Sequence, residues 1–214
     1  MCTPTQPSVS IEVEQKFVPN PQVEDKLHAM GAKLKKELKF RDSYYDTVDC
    51  RLTLSDVWLR KREDTWELKY PPKRGTRGLK GSSTQYLELS HEPDIISRVC
   101  EELNIPCTQS MDSLQLEEFA NFVTKRRRFE LPTKSGSKHK VVVDLDMADF
   151  SFAVGEVEVL VDTEEEVESA LQEVEDICKQ LGVLASSPVP GKMSTFLKLN
   201  RPDHYRQLLE AHVL

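Results

Sequence analysis

A stretch of alternating residues near the start of the chain most constrains the fold. Within Ile11–Phe17, which reads IEVEQKF, charged and apolar side chains largely alternate. Successive side chains of a β-strand point to opposite faces. Glu12, Glu14 and Lys16 therefore share one face, and the apolar residues share the other. The stretch predicts a strand with one charged face and one apolar face.

Segments far along the chain repeat this pattern with complementary charge. DVWLRKRE, WELKY, KVVVDLDM and AVGEVEV each alternate charged residues with aliphatic or aromatic ones. The acidic faces carry Glu12, Glu14, Asp144, Glu156 and Glu158, and the basic faces carry Lys16, Arg60, Arg62, Lys69 and Arg126. Two charge sets of opposite sign are thus distributed over several predicted strands.

Two packings of these strands satisfy the alternation. In the first, an open sheet packs its apolar face against helices and its charges face solvent. In the second, the sheet closes, the apolar faces point outward beneath the helices, and the charged faces line an interior. The second packing is an α+β fold, a closed β-barrel with a charged interior, surrounded by helices. Alternation by itself leaves both packings open.

The charge inventory favours the closed packing. Clustered carboxylates without a cation repel one another and raise their pKa values. Carboxylate oxygens are suited to Mg²⁺ or Mn²⁺, and arginine and lysine side chains are suited to holding several phosphates. A divalent metal together with a polyphosphate would neutralise both sets. Such a site suggests phosphoryl transfer or hydrolysis.

Composition excludes several classes of protein. The net charge of −7 argues against a general binder of nucleic acids or membrane surfaces, and the sequence holds no G-x-x-x-x-G-K-[ST] or G-x-G-x-x-G loop. No apolar run approaches the roughly 20 residues that span a bilayer. Five scattered cysteines without a C-x-x-C pair, and an N-terminus unlike a secretory signal, predict a cytoplasmic protein with reduced thiols.

Local patterns also predict the order of the other elements. Residues 1–9 are expected to be a disordered tail, and Pro71–Thr84 a basic loop rich in glycine and proline. Helical spacing predicts helices at Ser113–Phe119 and Thr163–Gly182, the second ended by its glycine. A strand is expected at Leu38–Asp46 and a turn at Ser135–Ser137. No composition shift marks a boundary, so residues 1–214 are expected to form a single domain.

The pattern E-x-E-x-K, formed by Glu12, Glu14 and Lys16, resembles the start of the CYTH family of triphosphate tunnel metalloenzymes. The resemblance extends over nearly the whole chain through ordered segments: RDSYYD, WLRKRE, WELK, YLEL, FVTKR, VDLDMADF and VGEVEVLV. This resemblance implies a tunnel of roughly eight antiparallel strands with helices packed outside. The implied activity is metal-dependent hydrolysis of thiamine triphosphate to thiamine diphosphate and phosphate.

The resemblance also implies roles for individual residues. The implied ligands of Mg²⁺ are Glu12, Glu14, Asp144, Glu156 and Glu158, and the implied triphosphate-binding residues are Lys16, Arg60, Arg62, Lys69, Arg126 and Lys192. The expected partner is a small-molecule triphosphate bound by a monomer. Glu88 and Asp146 are left unassigned at this point.

Tyr44 and Lys69 are the candidate pair for activating water, and neighbouring cations are expected to lower the pKa of Lys69 enough for it to act as a base. Alternatively, Tyr44 is a core tyrosine and Lys69 only a phosphate clamp. Trp58 shares a strand face with Arg60 and Arg62 and is a candidate to stack on the cationic thiazolium ring. The alternative for Trp58 is ordinary packing at the tunnel mouth.

Two other kinds of function compete with this interpretation. The same site would suit an inorganic triphosphatase or a relative of the adenylyl cyclases. A protein of another class would be a non-catalytic module that binds polyphosphate and releases no phosphate. Simple anion capture needs no metal ligands, so the acidic set argues against such a module.

Overall fold

The computed structural model describes residues 10–72, 83–132, 139–184 and 187–214. Its strands are β1 (Ser10–Phe17), β2 (Lys33–Asp46), β3 (Trp58–Arg62), β4 (Thr65–Tyr70), β5 (Ser83–Leu89), β6 (Glu117–Glu130), β7 (Val141–Ala148) and β8 (Phe152–Val161). They form a closed antiparallel barrel in the order β1-β5-β4-β3-β2-β6-β7-β8. The predicted closed α+β barrel is confirmed.

Helices cover the outside of this barrel. They are α1 (Val23–Ala29), α2 (Arg51–Leu54), α3 (Glu92–Leu103), α4 (Val167–Leu181), α5 (Lys192–Asn200) and α6 (Pro202–Glu210). Gly182 adopts the left-handed φ of +68° just after α4, as expected of the glycine that ends a helix. A 3₁₀ turn at Glu164–Glu166 precedes α4, so the predicted helix over Thr163–Gly182 is shorter at its start.

The apolar faces of the strands point outward beneath these helices. Val13 of β1 and Val159 of β8 are fully buried in one apolar cluster with Val174 and Ile177 of α4. Helix α3 covers a second cluster on the far side, which includes Leu59 and Leu68. Because the outward face is the one that the helices bury, the charged face is left to line the interior. The second of the two predicted packings is the correct one.

The close approach of β1 and β8 depends on one glycine. Phe17 is opposite Gly155 in the register of these strands, and its ring is fully buried. A Cβ atom at residue 155 would lie 2.1 Å from Cζ of Phe17. Any larger side chain at this position would therefore displace the ring of Phe17, which packs where β1 and β8 pair.

Two local predictions were wrong, and both failed where long-range strand pairing decides the structure. The predicted helix at Ser113–Phe119 is a 3₁₀ turn at Met111–Leu114, followed by β6 from Glu117. Strand β2 begins at Lys33 instead of Leu38, because it pairs with β6 along almost its whole length. Local helical spacing in a short segment is outweighed by this ladder of backbone hydrogen bonds.

Other predictions lie outside the described residues. These are the tail at residues 1–9, most of the loop predicted at Pro71–Thr84, and a turn at Ser135–Ser137. Within the described part of the chain, no helix is both long enough and apolar enough to cross a bilayer. The described cysteines Cys50, Cys100, Cys107 and Cys178 are free.

Candidate active site

The interior of the barrel encloses a cavity of about 650 Å³. Its volume lies within the range of small-molecule binding sites. The predicted site residues that line it are Glu12, Glu14, Lys16, Tyr44, Trp58, Arg60, Arg62, Lys69, Arg126, Glu156, Glu158 and Lys192. The alternating strands thus bring nearly all predicted site residues to one place, although they span about 180 positions of the sequence.

The β1 carboxylates are each paired with a lysine of the cavity. Glu14 accepts a hydrogen bond from Lys16, two residues along the same strand face. Glu12 accepts a hydrogen bond from Lys69 of β4, and β5 lies between β4 and β1 in the barrel. In the E-x-E-x-K pattern the last residue therefore neutralises the middle one, while the first is neutralised from another strand.

Arg126 is the centre of a larger cluster at the β6–β8 side. Its guanidinium donates two hydrogen bonds to Asp146, at 2.7 and 2.6 Å, and a third to Glu156 at 3.1 Å. Its remaining nitrogen lies 2.5 Å from Asp144. Lys192 at the start of α5 reaches the same carboxylates of Asp146 and Glu156. Buried charges are tolerated here because each is paired and hydrogen-bonded.

Asp144 differs from the other predicted metal ligands. It is fully buried and accepts two hydrogen bonds from Arg128, at 2.8 and 2.6 Å, besides its contact with Arg126. It is not among the residues found to line the cavity in the described part of the chain. Its carboxylate contacts the cavity-lining residues Arg126 and Arg128 instead of lining the cavity itself.

A third group of pairs orients the arginines of β3. Arg62 donates two hydrogen bonds to the buried Asp42, at 2.7 and 3.0 Å, and Arg60 donates one to Glu67 at 2.6 Å. The ring of Phe40 lies beneath two guanidinium groups, 4.1 Å from that of Arg62 and 5.4 Å from that of Arg126. These contacts hold the arginines in place before any anion binds.

The carboxylates of the cavity titrate very differently. Burial raises the pKa of the Glu158 carboxyl to about 7, and the negative charge of Glu12 adds to the effect. For Glu156 burial acts in the same direction, but Lys192 and Lys16 outweigh it and hold the pKa well below its usual value. The side with excess carboxylates, around Glu12 and Glu158, is therefore the side where a divalent cation would relieve repulsion. The donor set fits such an ion.

The pKa of Lys69 changes in the direction opposite to the sequence-based expectation. Burial would lower it, but the carboxylates of Glu12 and Glu14 outweigh both burial and the repulsion from Arg60. The pKa of Lys69 is consequently raised in the ligand-free protein. The expectation failed because the sequence does not show that Lys69 pairs with an acidic strand.

Tyr44 lies within the same cavity but at the edge of an aromatic cluster. Its ring stacks on Phe122 with centroids 5.9 Å apart, and only 8% of the residue is exposed. In the strand register Tyr44 is opposite Arg60, and β3 separates it from Lys69 on β4. Both residues of the predicted pair thus border one cavity, with an arginine between them.

Trp58 is oriented by a buried carboxylate. Its indole Nε1 donates a hydrogen bond to Asp56 at 2.9 Å, and the hydroxyl of Tyr86 donates to the same oxygen at 3.0 Å. Both aromatic residues line the cavity, and Asp56 is only 5% exposed. The hydrogen bond fixes the plane of the indole ring at the cavity wall.

A cluster outside the cavity also has the composition of a metal site. Ligand atoms of Asp46, Cys50 and His204 lie within 4.8 Å of one another. The two oxygens of Asp46 already accept hydrogen bonds from the backbone of Leu52 and Thr53 at the start of α2, each at 2.9 Å. We interpret this aspartate as a structural cap for that helix.

Sequence reasoning missed several charged residues of this site. Arg128 lines the cavity beside Arg126, and Asp42 and Glu67 orient the arginines of β3. Asp146, which was left unassigned from the sequence, orients Arg126. A signal for Arg128 was present, since it shares a strand face with Arg126. The pairing of Asp42 and Glu67 with arginines could not be predicted, because those arginines are on another strand.

Comparisons with known proteins agree with this architecture. A CYTH domain family model matches residues 10–191. Thiamine-triphosphatase of Macaca fascicularis is 41% identical, and that of Homo sapiens 42%, each over 94% of this chain and 90% of the relative. The solved structure of the PH1819 protein from Pyrococcus horikoshii OT3 has a TM-score of 0.52 at 19% identity, covering 89% of this chain and 99% of that one. Its likeness supports the fold alone. The chain belongs to the CYTH domain family.

Proposed function

We propose that this protein is a metal-dependent hydrolase that removes the terminal phosphate of thiamine triphosphate. The products are thiamine diphosphate and phosphate. The observation that carries the proposal is the cavity inside the barrel, where cationic and anionic side chains face one another around about 650 Å³. The relatives named thiamine-triphosphatase, at 41% and 42% identity, support the choice of substrate.

The basic residues of the cavity bind the triphosphate. Arg60, Arg62 and Arg126 are held by carboxylates and offer their remaining N–H groups, while Lys16 and Lys192 contribute compact positive charges. Water attacks the terminal phosphorus, the P–O bond to the leaving diphosphate breaks, and that oxygen keeps the electron pair. The fixed cations stabilise the charge that develops on the phosphoryl oxygens.

The acidic residues of the cavity hold a divalent cation, which we propose is Mg²⁺. Glu12, Glu14, Glu156 and Glu158 are the candidate ligands that line the cavity. Mg²⁺ bound there would act as a Lewis acid and offset the negative charge of the phosphates. Lys69 and Tyr44 are the candidates for taking the proton of the attacking water. Lys69 is suited to this role only when another cation offsets Glu12 and Glu14, whose charge raises its pKa.

Phosphate release from three substrates tests the proposal. We expect rapid release from thiamine triphosphate with Mg²⁺, release at least about 100-fold slower from tripolyphosphate and ATP, and loss of activity in EDTA. Preference for tripolyphosphate would favour an inorganic triphosphatase, and pyrophosphate release from ATP would favour a cyclase. Binding without phosphate release would indicate a non-catalytic module.

The affinity for Mg²⁺ is expected to depend on pH through Glu158. Its carboxyl has a pKa of about 7, so it is mostly protonated at pH 6 and mostly charged at pH 8. A proton competes with the cation for this ligand, and the affinity should therefore rise about tenfold from pH 6 to pH 8. Calorimetric titration of the substrate-free protein with Mg²⁺ measures this change.

Two variants control this pH experiment. Glu158→Gln should bind Mg²⁺ more weakly, with little difference between pH 6 and pH 8. Glu130→Gln removes a carboxylate that pairs with Lys140 and is not among the cavity-lining residues found in the described chain, so the full pH effect should remain. An unchanged pH dependence in Glu158→Gln would show that this residue is not a ligand.

We further propose that residues 1–214 act as one CYTH-type domain, of which the family model covers residues 10–191. The monomeric state and the cytoplasmic location remain predictions from the sequence. Size-exclusion chromatography with light scattering would test the first of these.

A further inference from the structure

The segment that follows the family match contributes a wall to the cavity. The CYTH domain match ends at residue 191, and residues 192–214 form α5, α6 and a short tail. Met193, Tyr205, Val213 and Leu214 of this segment line the cavity, and we call these four residues the C-terminal wall. The barrel strands that bear the charged residues lie within the family match, whereas this wall does not.

The wall is held in place by packing and by a helix-ending motif. Leu197 of α5 and Leu208 of α6 are fully buried against the aromatic cluster on the barrel. After α6, Val213 N–H donates to Leu208 C=O at 2.9 Å and His212 N–H donates to Leu209 C=O at 3.1 Å. These two bonds form a Schellman motif, with His212 at a φ of +57° where glycine is usual. The motif turns the chain back so that Val213 packs against the same aromatic cluster.

The chemistry of the wall differs from that of the rest of the cavity. It presents a phenol ring, a thioether and two aliphatic side chains, beside strands that present mostly charges. Three of its members, Met193, Tyr205 and Val213, belong to the same packing cluster as Trp58. The apolar side chains are therefore gathered at the Trp58 side of the cavity. A chain of phosphates has no surface that such a wall would bind.

The surroundings of Trp58 indicate the charge of the ligand. Its indole N–H is hydrogen-bonded to the buried carboxylate of Asp56. A negative charge at the edge of the indole makes its face more attractive to a cation. An aromatic ring that carries a positive charge fits this side of the cavity better than a neutral sugar or a second anion.

We propose that the C-terminal wall is the subsite for the organic part of the substrate, and that Tyr205 and Val213 select triphosphates bearing a cationic aromatic ring over inorganic triphosphate. This inference rests on the proposed function and deepens it. It assigns selectivity to residues beyond the family match and triphosphate binding to the barrel. A barrel of this family would then accept different triphosphates depending on the residues that follow it in the chain.

The test compares thiamine triphosphate with tripolyphosphate as substrates of the full chain with Mg²⁺. Tyr205→Ala and Val213→Ser should each raise KM for thiamine triphosphate about tenfold and leave kcat/KM for tripolyphosphate within about twofold. Tyr205→Phe keeps the ring and should behave like the wild type. Leu209→Ala changes an exposed residue of α6 that is not among the cavity-lining residues of the described chain. It should therefore leave KM and kcat/KM unchanged for both substrates.

Equal losses for both substrates would overturn the inference, because the wall would then only support the barrel. The inference would also be overturned if Tyr205→Ala and Val213→Ser both kept the wild-type KM for thiamine triphosphate. If Tyr205→Ala proves unfolded by circular dichroism, Val213→Ser decides the outcome, since Val213 is only half-buried and lies outside the helices. Failure of the wild type to hydrolyse thiamine triphosphate would refute the proposed function itself, which is a separate result.

Discussion

Replacing Arg126 with methionine is expected to lower both the stability of the protein and its activity by large amounts. The guanidinium is buried and contacts the carboxylates of Asp144, Asp146 and Glu156. Its loss leaves buried negative charge with less compensation, which costs about 3 kcal/mol of unfolding free energy. It also removes a cation proposed to stabilise the transferring phosphoryl group, and kcat/KM should fall about 1000-fold. Urea unfolding and phosphate release measure the two losses.

A double variant separates the two effects. Asp146→Asn removes the carboxylate that Arg126 binds through two hydrogen bonds. Added to Arg126→Met, it should restore at least half of the lost unfolding free energy, because one uncompensated charge is gone. Activity should stay low, since the cation for phosphate is still missing. Recovery of activity together with stability would mean that Arg126 has only a structural role.

Replacing Lys69 with methionine is expected to lower kcat for thiamine triphosphate about 1000-fold with little change in KM, as loss of a general base does. The wild-type rate should rise with pH, because Lys69 must lose its proton to act as a base, and Glu12 and Glu14 raise its pKa unless a cation offsets them. In Lys69→Met this rise should disappear. A pH–rate profile at saturating Mg²⁺ and substrate measures both effects.

Two further variants distinguish a base from a phosphate clamp. Lys69→Arg keeps a positive charge that does not dissociate, so its kcat should stay about as low as that of Lys69→Met. Tyr44→Phe should lower kcat without changing the fold, since the phenyl ring keeps its stacking on Phe122. If Lys69→Arg recovers most of the wild-type kcat, Lys69 serves as a clamp. A normal kcat and pH profile in Tyr44→Phe would show that the Tyr44 hydroxyl takes no part in activating water.

Much of the site was predictable because its pattern is local. Alternation with a period of two needs only neighbouring residues, and it identified the charged faces of β1, β3, β4, β7 and β8. Residue types then indicated the chemistry, with carboxylates for a metal and arginines for phosphates. The strand start at Lys33 and the 3₁₀ turn at Met111–Leu114 were not predictable in this way. They depend on the pairing of β2 with β6, which is remote in sequence.

The sequence by itself determined which side chains share a face, since that depends on backbone geometry within each strand. Only the tertiary structure decided which face is enclosed, because closure requires β1 to pair with both β5 and β8. The strand register also decided the charge pairs, placing Arg128 opposite Asp144 and Asp144 opposite Glu156. The direction of the pKa shift of Lys69 and the position of the C-terminal wall follow from such contacts. Electrostatic energies depend on distance in space, and distance in space between remote strands is not encoded in local periodicity.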